Sequence, residues 1–536
     1  MNHKTRFSSQ LKKEIPFFGN YYNLIVLIIF ITLSIILIIR HEFWCDEIFA
    51  WHQSSESHSI QQSLNWLTHI SGHPFLWNFI LYIISHFITS NVEAMKVIHL
   101  TISTAIVFLF LKYSPFNKYI KILFVFSYFI FYEYSIISRN YSLGVLFIIL
   151  FCILYKEKYK NLIPLAIVLF FMGQANLYSF IISLAFTFLI IFDILKDAKK
   201  IKKEVNKFIL LGFFLIVLFG IILIYLQFKY KIFNGTAFSI PLTSSNSQIS
   251  SNILNDYNKE AFKGVERGFA SAFLPIPEIR IDFWNTNLIV KLLSSYIYLV
   301  PIIIFLISSI ILKRRTWALF ILGSICISII PLKGISLAAL RHFGHFFILF
   351  IASIWISNLE NNDDNFFFNI NRKLINTISN TFLIIILAVS VIGSGIASYY
   401  DYRYPFSSGK LVAQYINENY SNKNIKIIGY HDYSAETIAG YLNKDIYYPE
   451  MKEYSKFVNW ETRNSKLSLE GAFKDIDSII NDGEIFLFVK DQESITKDEE
   501  DEIKNEYTEI KEVKFENSIV SRENFYLYEF IKSGNR

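Results

Sequence analysis

Residues 24–51 read LIVLIIFITLSIILIIRHEFWCDEIFAW. The run Leu24–Ile39 is apolar and, with its flanks, long enough to cross a bilayer. Directly past it two adjacent carboxylates, Asp46 and Glu47, stand among Phe43, Trp44, Phe49 and Trp51. Aromatic rings are ordinary belt residues at a membrane boundary. Acids are less so, because charge at the membrane edge costs free energy unless it meets water, a cation or a ligand. An acidic pair at a wet interface meets that condition, and so does a site that works on a lipid headgroup.

The rest of the chain has the same character. Of its 536 residues 53% are hydrophobic, and the mean hydropathy is +0.36. The apolar runs are many and near membrane length, which excludes a soluble protein and reads as a polytopic α-helical membrane protein. The formal net charge of +6 does not point to nucleic acid, since the lysines fall in short clusters between apolar runs. Cys45, Cys152 and Cys326 allow no disulfide framework. The first apolar run lacks a small-residue cleavage site and reads as an uncleaved signal-anchor.

Those basic clusters set the expected topology. The tail 1–20, with Lys4, Arg6, Lys12 and Lys13, is expected in the cytoplasm. A membrane domain over 21–398 with about eleven spans then puts Lys112–Lys121, Lys156–Lys160, Lys196–Lys207, Lys313–Arg315 and Arg372–Lys373 on one side. The Asp46-Glu47 loop falls on the other. Residues 120–137 are taken as the third span, and the outer loops as 40–93 and 229–287, the latter polar and rich in Ser and Asn. The apolar segment 74–89 is expected to lie along the outer surface, because counting it as a crossing would invert every later loop.

From Tyr399 hydrophobic runs shorten and alternate, so 399–536 reads as an extracytoplasmic soluble α/β domain. Its expected helices run from Ser407-Ser408 to Tyr420, over Ser434–Leu442 and over Leu467–Ile480. Its expected strands are Ile425–Gly429, Ile446–Tyr448, Glu484–Val489 and Asn524–Ile531. The charged stretch Lys497–Lys511 reads as a solvated helix face. No glycine-rich phosphate loop follows any strand.

A second motif opens the juxtamembrane segment: His73-Pro74-Phe75-Leu76-Trp77. Pro74 suits a first helical turn, where no amide donor is lost, and this sets His73 at the helix mouth. Asp46-Glu47 followed by His73-Pro74-Phe75-Leu76 resembles the GT-C superfamily of membrane glycosyltransferases. The likeness is to the branch of protein O-mannosyltransferases and bacterial aminoarabinose transferases. Members carry an Asp-Glu pair in the first outer loop and then a His-Pro-Pro-Leu-like helix; here phenylalanine replaces the second proline. The resemblance implies a GT-C-like enzyme of the bacterial inner (plasma) membrane. Its donor would be a polyprenyl-phosphate-linked sugar, used on the outer face with Asp46 as catalytic base. Glu47 would position the acceptor or support the base. The acceptor, whether protein, lipid or cell-envelope glycan, stays open. So does a divalent cation (Mg or Mn) at Asp46, which some members use and others do without. A lipid-linked oligosaccharide polymerase or ligase, or a lipid-linked sugar flippase, is the alternative function.

Three further sites bear on a lipid phosphate. Arg139 with Tyr141 falls at the outer end of the third span, where the family shows an Arg-x-Tyr element. An arginine fork matches phosphate geometry, although an arginine snorkelling to the interface gives the same pattern. Arg341-His342, with His345 a turn on, opens a late span from outside, and basic groups at a helix start oppose the helix dipole. Lys96, at the outer start of the second span, is a candidate for the same task. The histidines of the N-terminal region include no His-x-x-x-His pair with an acidic partner, which argues against a histidine-based metal site.

Overall fold

A helix that is apolar all round must be covered by lipid or by protein. Seven helices are long and apolar enough to cross a membrane: Tyr21–Arg40, Ala94–Tyr113, Leu177–Lys196, Lys207–Lys229, Arg314–Leu332, Leu340–Leu359 and Arg372–Arg403. Shorter apolar helices cover Leu76–Phe87, Tyr141–Tyr155, Leu162–Ala175 and Leu299–Ile311. By these helices the chain is an integral membrane protein. The computed structural model describes residues 21–69, 73–233, 251–332, 339–360, 366–368, 370–421, 423–460, 462–503 and 506–533. The basic tail 1–20, the stretch 234–250 and Lys333 lie outside the described residues.

Leu340–Leu359 is the axis of the bundle, buried along almost its whole length. Phenylalanines pack around it, with Phe269 4.9 Å from Phe346 and Phe320 5.1 Å from Phe350 between ring centres. Phe269 belongs to a helix, Ser251–Phe273, in what the sequence reads as the outer loop 229–287. This helix packs against Leu340–Leu359 and Arg314–Leu332. Ser, Asn and Lys in its first half are why composition alone reads it as loop.

The expected third span is also different. An α-helix from Lys118 ends at Val125, and Tyr128–Glu133 is wound as a π-helix. Hydroxyls at the break compete for the backbone: Ser127 Oγ donates to the Phe124 carbonyl at 2.7 Å, and Ser390 Oγ accepts the Tyr128 amide at 3.0 Å. A continuous apolar run does not display such a break. The irregular turn after it carries Ser138 and Arg139.

Leu76–Phe87 is too short to span. It buries Trp77, Leu81 and Ile84 on one side and exposes Phe87 and Ile83, and it packs on the helix Cys45–Ser55. Pro74 precedes this helix rather than entering its first turn.

The C-terminal domain is built on a six-stranded sheet in the order β3-β2-β1-β4-β6-β5. Its strands are β1 (Lys426–Gly429), β2 (Ile446–Tyr448), β3 (Glu453–Ser455), β4 (Ile485–Asp491), β5 (Tyr507–Phe515) and β6 (Phe525–Lys532). β1 runs parallel to both β2 and β4, and the outer pairs are antiparallel. Alternation in β4 sends Phe486 and Phe488 to one buried face and Leu487 and Val489 to the other. The two edge strands, β3 and β5, are absent from the sequence reading. In place of a charged helix through Lys511, the helix ends at Ile503 and β5 begins at Tyr507. Its exposed Glu509, Lys511 and Lys514 are the charges that keep an edge from pairing with other chains. The helix expected over Leu467–Ile480 is the shorter Leu469–Ile476.

This domain grips the membrane domain through the helix Asp432–Leu442, which packs on Cys45–Ser55. Gly440 makes the close approach possible, since a Cβ there would stand 2.6 Å from Ile48 Cγ2. Tyr441 Oη accepts the Phe43 amide at 2.7 Å, and His52 Nδ1 lies 3.2 Å from Glu436.

Candidate active site

The helix Cys45–Ser55 starts where it does because its orphan amides find carboxylates. Trp44 is extended at the N-cap, and the Glu47 carboxylate reaches back to its amide at 3.3 Å. Glu523, from the far end of the chain, accepts the Cys45 amide at 3.0 Å. The first turn so fixed presents Asp46 and Glu47 at the positive end of the helix dipole.

The two acids then part. The Asp46 side chain is 34% exposed, and its Oδ2 lies 3.5 Å from a guanidinium nitrogen of Arg139 and 3.5 Å from one of Arg341. Arg139 also donates to the Asp46 carbonyl and stands 3.2 Å from His73 Nε2. Arg341 rests 5.2 Å from the Trp44 ring centre and 5.1 Å from that of Trp284. Its backbone carbonyl accepts the Tyr134 hydroxyl at 2.6 Å, and Tyr141 Oη lies 2.9 Å from His342 Nε2. Burial acts to raise the Asp46 carboxyl, but Arg139, Arg341 and Arg522, with His73, outweigh it and hold the group below its ordinary value.

Glu47 is fully buried and faces inward. One oxygen accepts the Ser138 amide at 2.5 Å; the other meets His41 Nε2 and the Trp44 amide, both at 3.3 Å. His41 Nδ1 in turn lies 3.0 Å from Asp401. Burial would discharge His41, yet Asp401 and Glu47 overcome it and lift the imidazole to about 10. Glu47 therefore ties the Asp46 helix to the turn that carries Arg139.

Asp46, His73, Arg139, Tyr141, Arg341 and His342 thus come together from four separate elements. Lys96 does not join them. It pairs with Glu93 at 2.9 Å and lies 4.7 Å from the Phe43 ring centre. Sequence reasoning misses Arg522, Glu523 and Asp401, which reach the site across several hundred positions and carry no motif.

The surroundings of Asp46 do not suit a divalent cation. Three guanidiniums within electrostatic reach oppose a second positive centre. Among the described residues no group of three or more His, Cys, Asp or Glu side chains is arranged to hold a metal ion.

The fold is similar to the crystal structure of ArnT from Cupriavidus metallidurans bound to undecaprenyl phosphate, with a TM-score of 0.47 and 11% sequence identity. The similarity covers 96% of this chain and 98% of that one. No family model matches the sequence, and no curated protein does.

Proposed function

We propose that the chain is a membrane glycosyltransferase of GT-C type, moving a sugar from a polyprenyl-phosphate donor to an acceptor on the outer face of the membrane. The observation that carries this reading is the pair of 3.5 Å contacts that Arg139 and Arg341 make with one oxygen of Asp46. Arginine forks are suited to a phosphate, and a part-exposed carboxylate is suited to a proton. Sugar transfer from a lipid phosphate needs the two side by side.

The geometry also supports an order of events. With both arginines on it, Asp46 is held ionised and its basicity is blunted. A donor phosphate offers the same guanidiniums a bidentate partner. As they turn to it, Asp46 loses cationic neighbours and its affinity for a proton rises. The acceptor hydroxyl or amine then attacks the anomeric carbon and gives its proton to Asp46. The bond from that carbon to the phosphate oxygen breaks, and its electron pair stays on the phosphate. Donor binding thus switches the base on.

Membranes holding the full chain, given a panel of labelled polyprenyl-phosphate sugars, test the reading. Label should leave the lipid for one class of donor only. Retention of label on every lipid overturns it. Orientation is read separately, with a reporter that works only in the cytoplasm: signal is expected from a fusion at Asn206, and none from one after Arg536.

A further inference from the structure

We infer that Arg522, brought to the site by the C-terminal domain, is a third phosphate ligand that holds the negative charge the leaving group gains during transfer. This rests on the function proposed above and assigns a part of the site to the soluble domain.

Arg522 lies in the tight turn Ser521–Glu523 ahead of β6. Its neighbour Glu523 is fully buried, accepts the Cys45 amide at 3.0 Å, and offers its own carbonyl to the Ser408 amide at 3.2 Å. The turn is therefore anchored on the first residue of the helix that carries Asp46. From it the Arg522 guanidinium reaches within 5.2 Å of the Trp44 ring centre and 5.7 Å of that of Tyr433. One of its nitrogens is 3.8 Å from Cys45 Sγ. Arg341 approaches the same Trp44 ring, also at 5.2 Å, so arginines from both domains share one indole.

The three arginines differ in what they do. Arg139 and Arg341 are held on Asp46 by ion pairs. Arg522 is exposed, and among the described residues no carboxylate comes within 4.0 Å of it. It still acts on Asp46 electrostatically. Three guanidiniums converge on one part-exposed carboxylate, and that crowding of positive charge calls for an anion at the mouth of the site.

The chemistry says which anion fits. The donor is a phosphodiester with one negative charge, whereas the departing lipid phosphate is a monoester that carries ~2 near neutral pH. As the bond to the anomeric carbon breaks, its electron pair becomes that second charge. A site that gathers three guanidiniums matches the leaving group better than the donor. Stabilisation that grows toward the transition state is the kind that raises turnover.

Full-length protein in lipid nanodiscs tests this with two probes at pH 8, undecaprenyl phosphate and its methyl ester, which cannot acquire the second charge. Wild-type protein should bind the monoester more tightly than the ester. In R522Q the monoester should weaken by roughly 10-fold or more, and the ester by less than about 3-fold. R522K keeps the charge without the fork and should fall between. If R522Q does not fold, R522K with a wild-type melting temperature gives the same comparison. Equal weakening of both lipids, or none of either, overturns the part given to Arg522. Wild-type protein that binds neither lipid overturns the phosphate reading itself.

Discussion

His41 and Asp401 stand 360 positions apart in the chain and meet at 3.0 Å, Nδ1 to Oδ2. On its other nitrogen His41 meets Glu47 at 3.3 Å. One imidazole therefore links the end of the long helix Arg372–Arg403 to the first turn of the helix that presents Asp46.

This link has a pH dependence. Its folded-state pKa is raised from 6.5 to about 10, by Asp401 and Glu47 acting against burial. A raised histidine contributes stability that is complete below its unfolded value and is lost as pH climbs to the folded one. Melting temperature should thus fall between pH 7 and pH 10. His41→Gln should be less stable at pH 6 and should flatten that slope. An unchanged slope in the variant, followed by thermal unfolding, would remove His41 as its source.

Asp46→Asn keeps shape and removes the ability to take a proton. Turnover should drop by on the order of 100-fold or more, the usual worth of a positioned base. Binding of undecaprenyl phosphate should hold or tighten, because a negative charge has left the arginines. Full turnover in this variant would dismiss Asp46 as base.

For Arg139→Lys and Arg341→Lys the charge stays and the fork is lost, so each should raise the donor concentration needed for half-maximal rate. Donor titrations on the two variants read this directly. Unchanged donor dependence in both would leave the guanidiniums with no part beyond pairing Asp46.

Glu47→Ala leaves the His41 imidazole facing one carboxylate and the Ser138 amide without its acceptor. Breaking a buried ion pair costs about 3 kcal/mol or more, so the loss should show in melting temperature before it shows in rate. Glu47→Gln should be milder in both. A variant of wild-type stability with selectively impaired acceptor use would instead place Glu47 on the substrate.

Gly440→Val tests the docking of the two domains. A Cβ at this position would come within 2.6 Å of Ile48 Cγ2 and 3.2 Å of His52 Cε1, and a branched side chain would push further. Activity should fall while the membrane domain stays folded. Cleavage between the domains by added protease, compared with wild type, measures the loosening.

What the sequence showed and hid follows from the physics of each residue. Asp46, Arg139 and Arg341 are legible because a charge beside an apolar run is costly and so asks for a reason. Most strands of the C-terminal domain are legible from alternation, and β2 is read to the residue. Arg522 and Glu523 are not, because a charged pair in a surface turn looks ordinary until the turn is seen against Cys45. The π-wound segment Tyr128–Glu133 is hidden for another reason: its residues are those of a regular apolar helix, and only the hydrogen bonds differ. Glu47 is legible as unusual, but its inward direction depends on Ser138 and His41, which no local pattern pairs with it.

The turn that carries Arg522 and Glu523 follows every apolar helix along the chain. Domains fold in the order in which the ribosome delivers them. A nascent chain therefore has Asp46, Arg139 and Arg341 made before Arg522 and the carboxylate that caps the Asp46 helix. Until then the amide of Cys45 lacks that acceptor. The first turn that presents Asp46 is therefore complete only once the C-terminal domain has been made and docked.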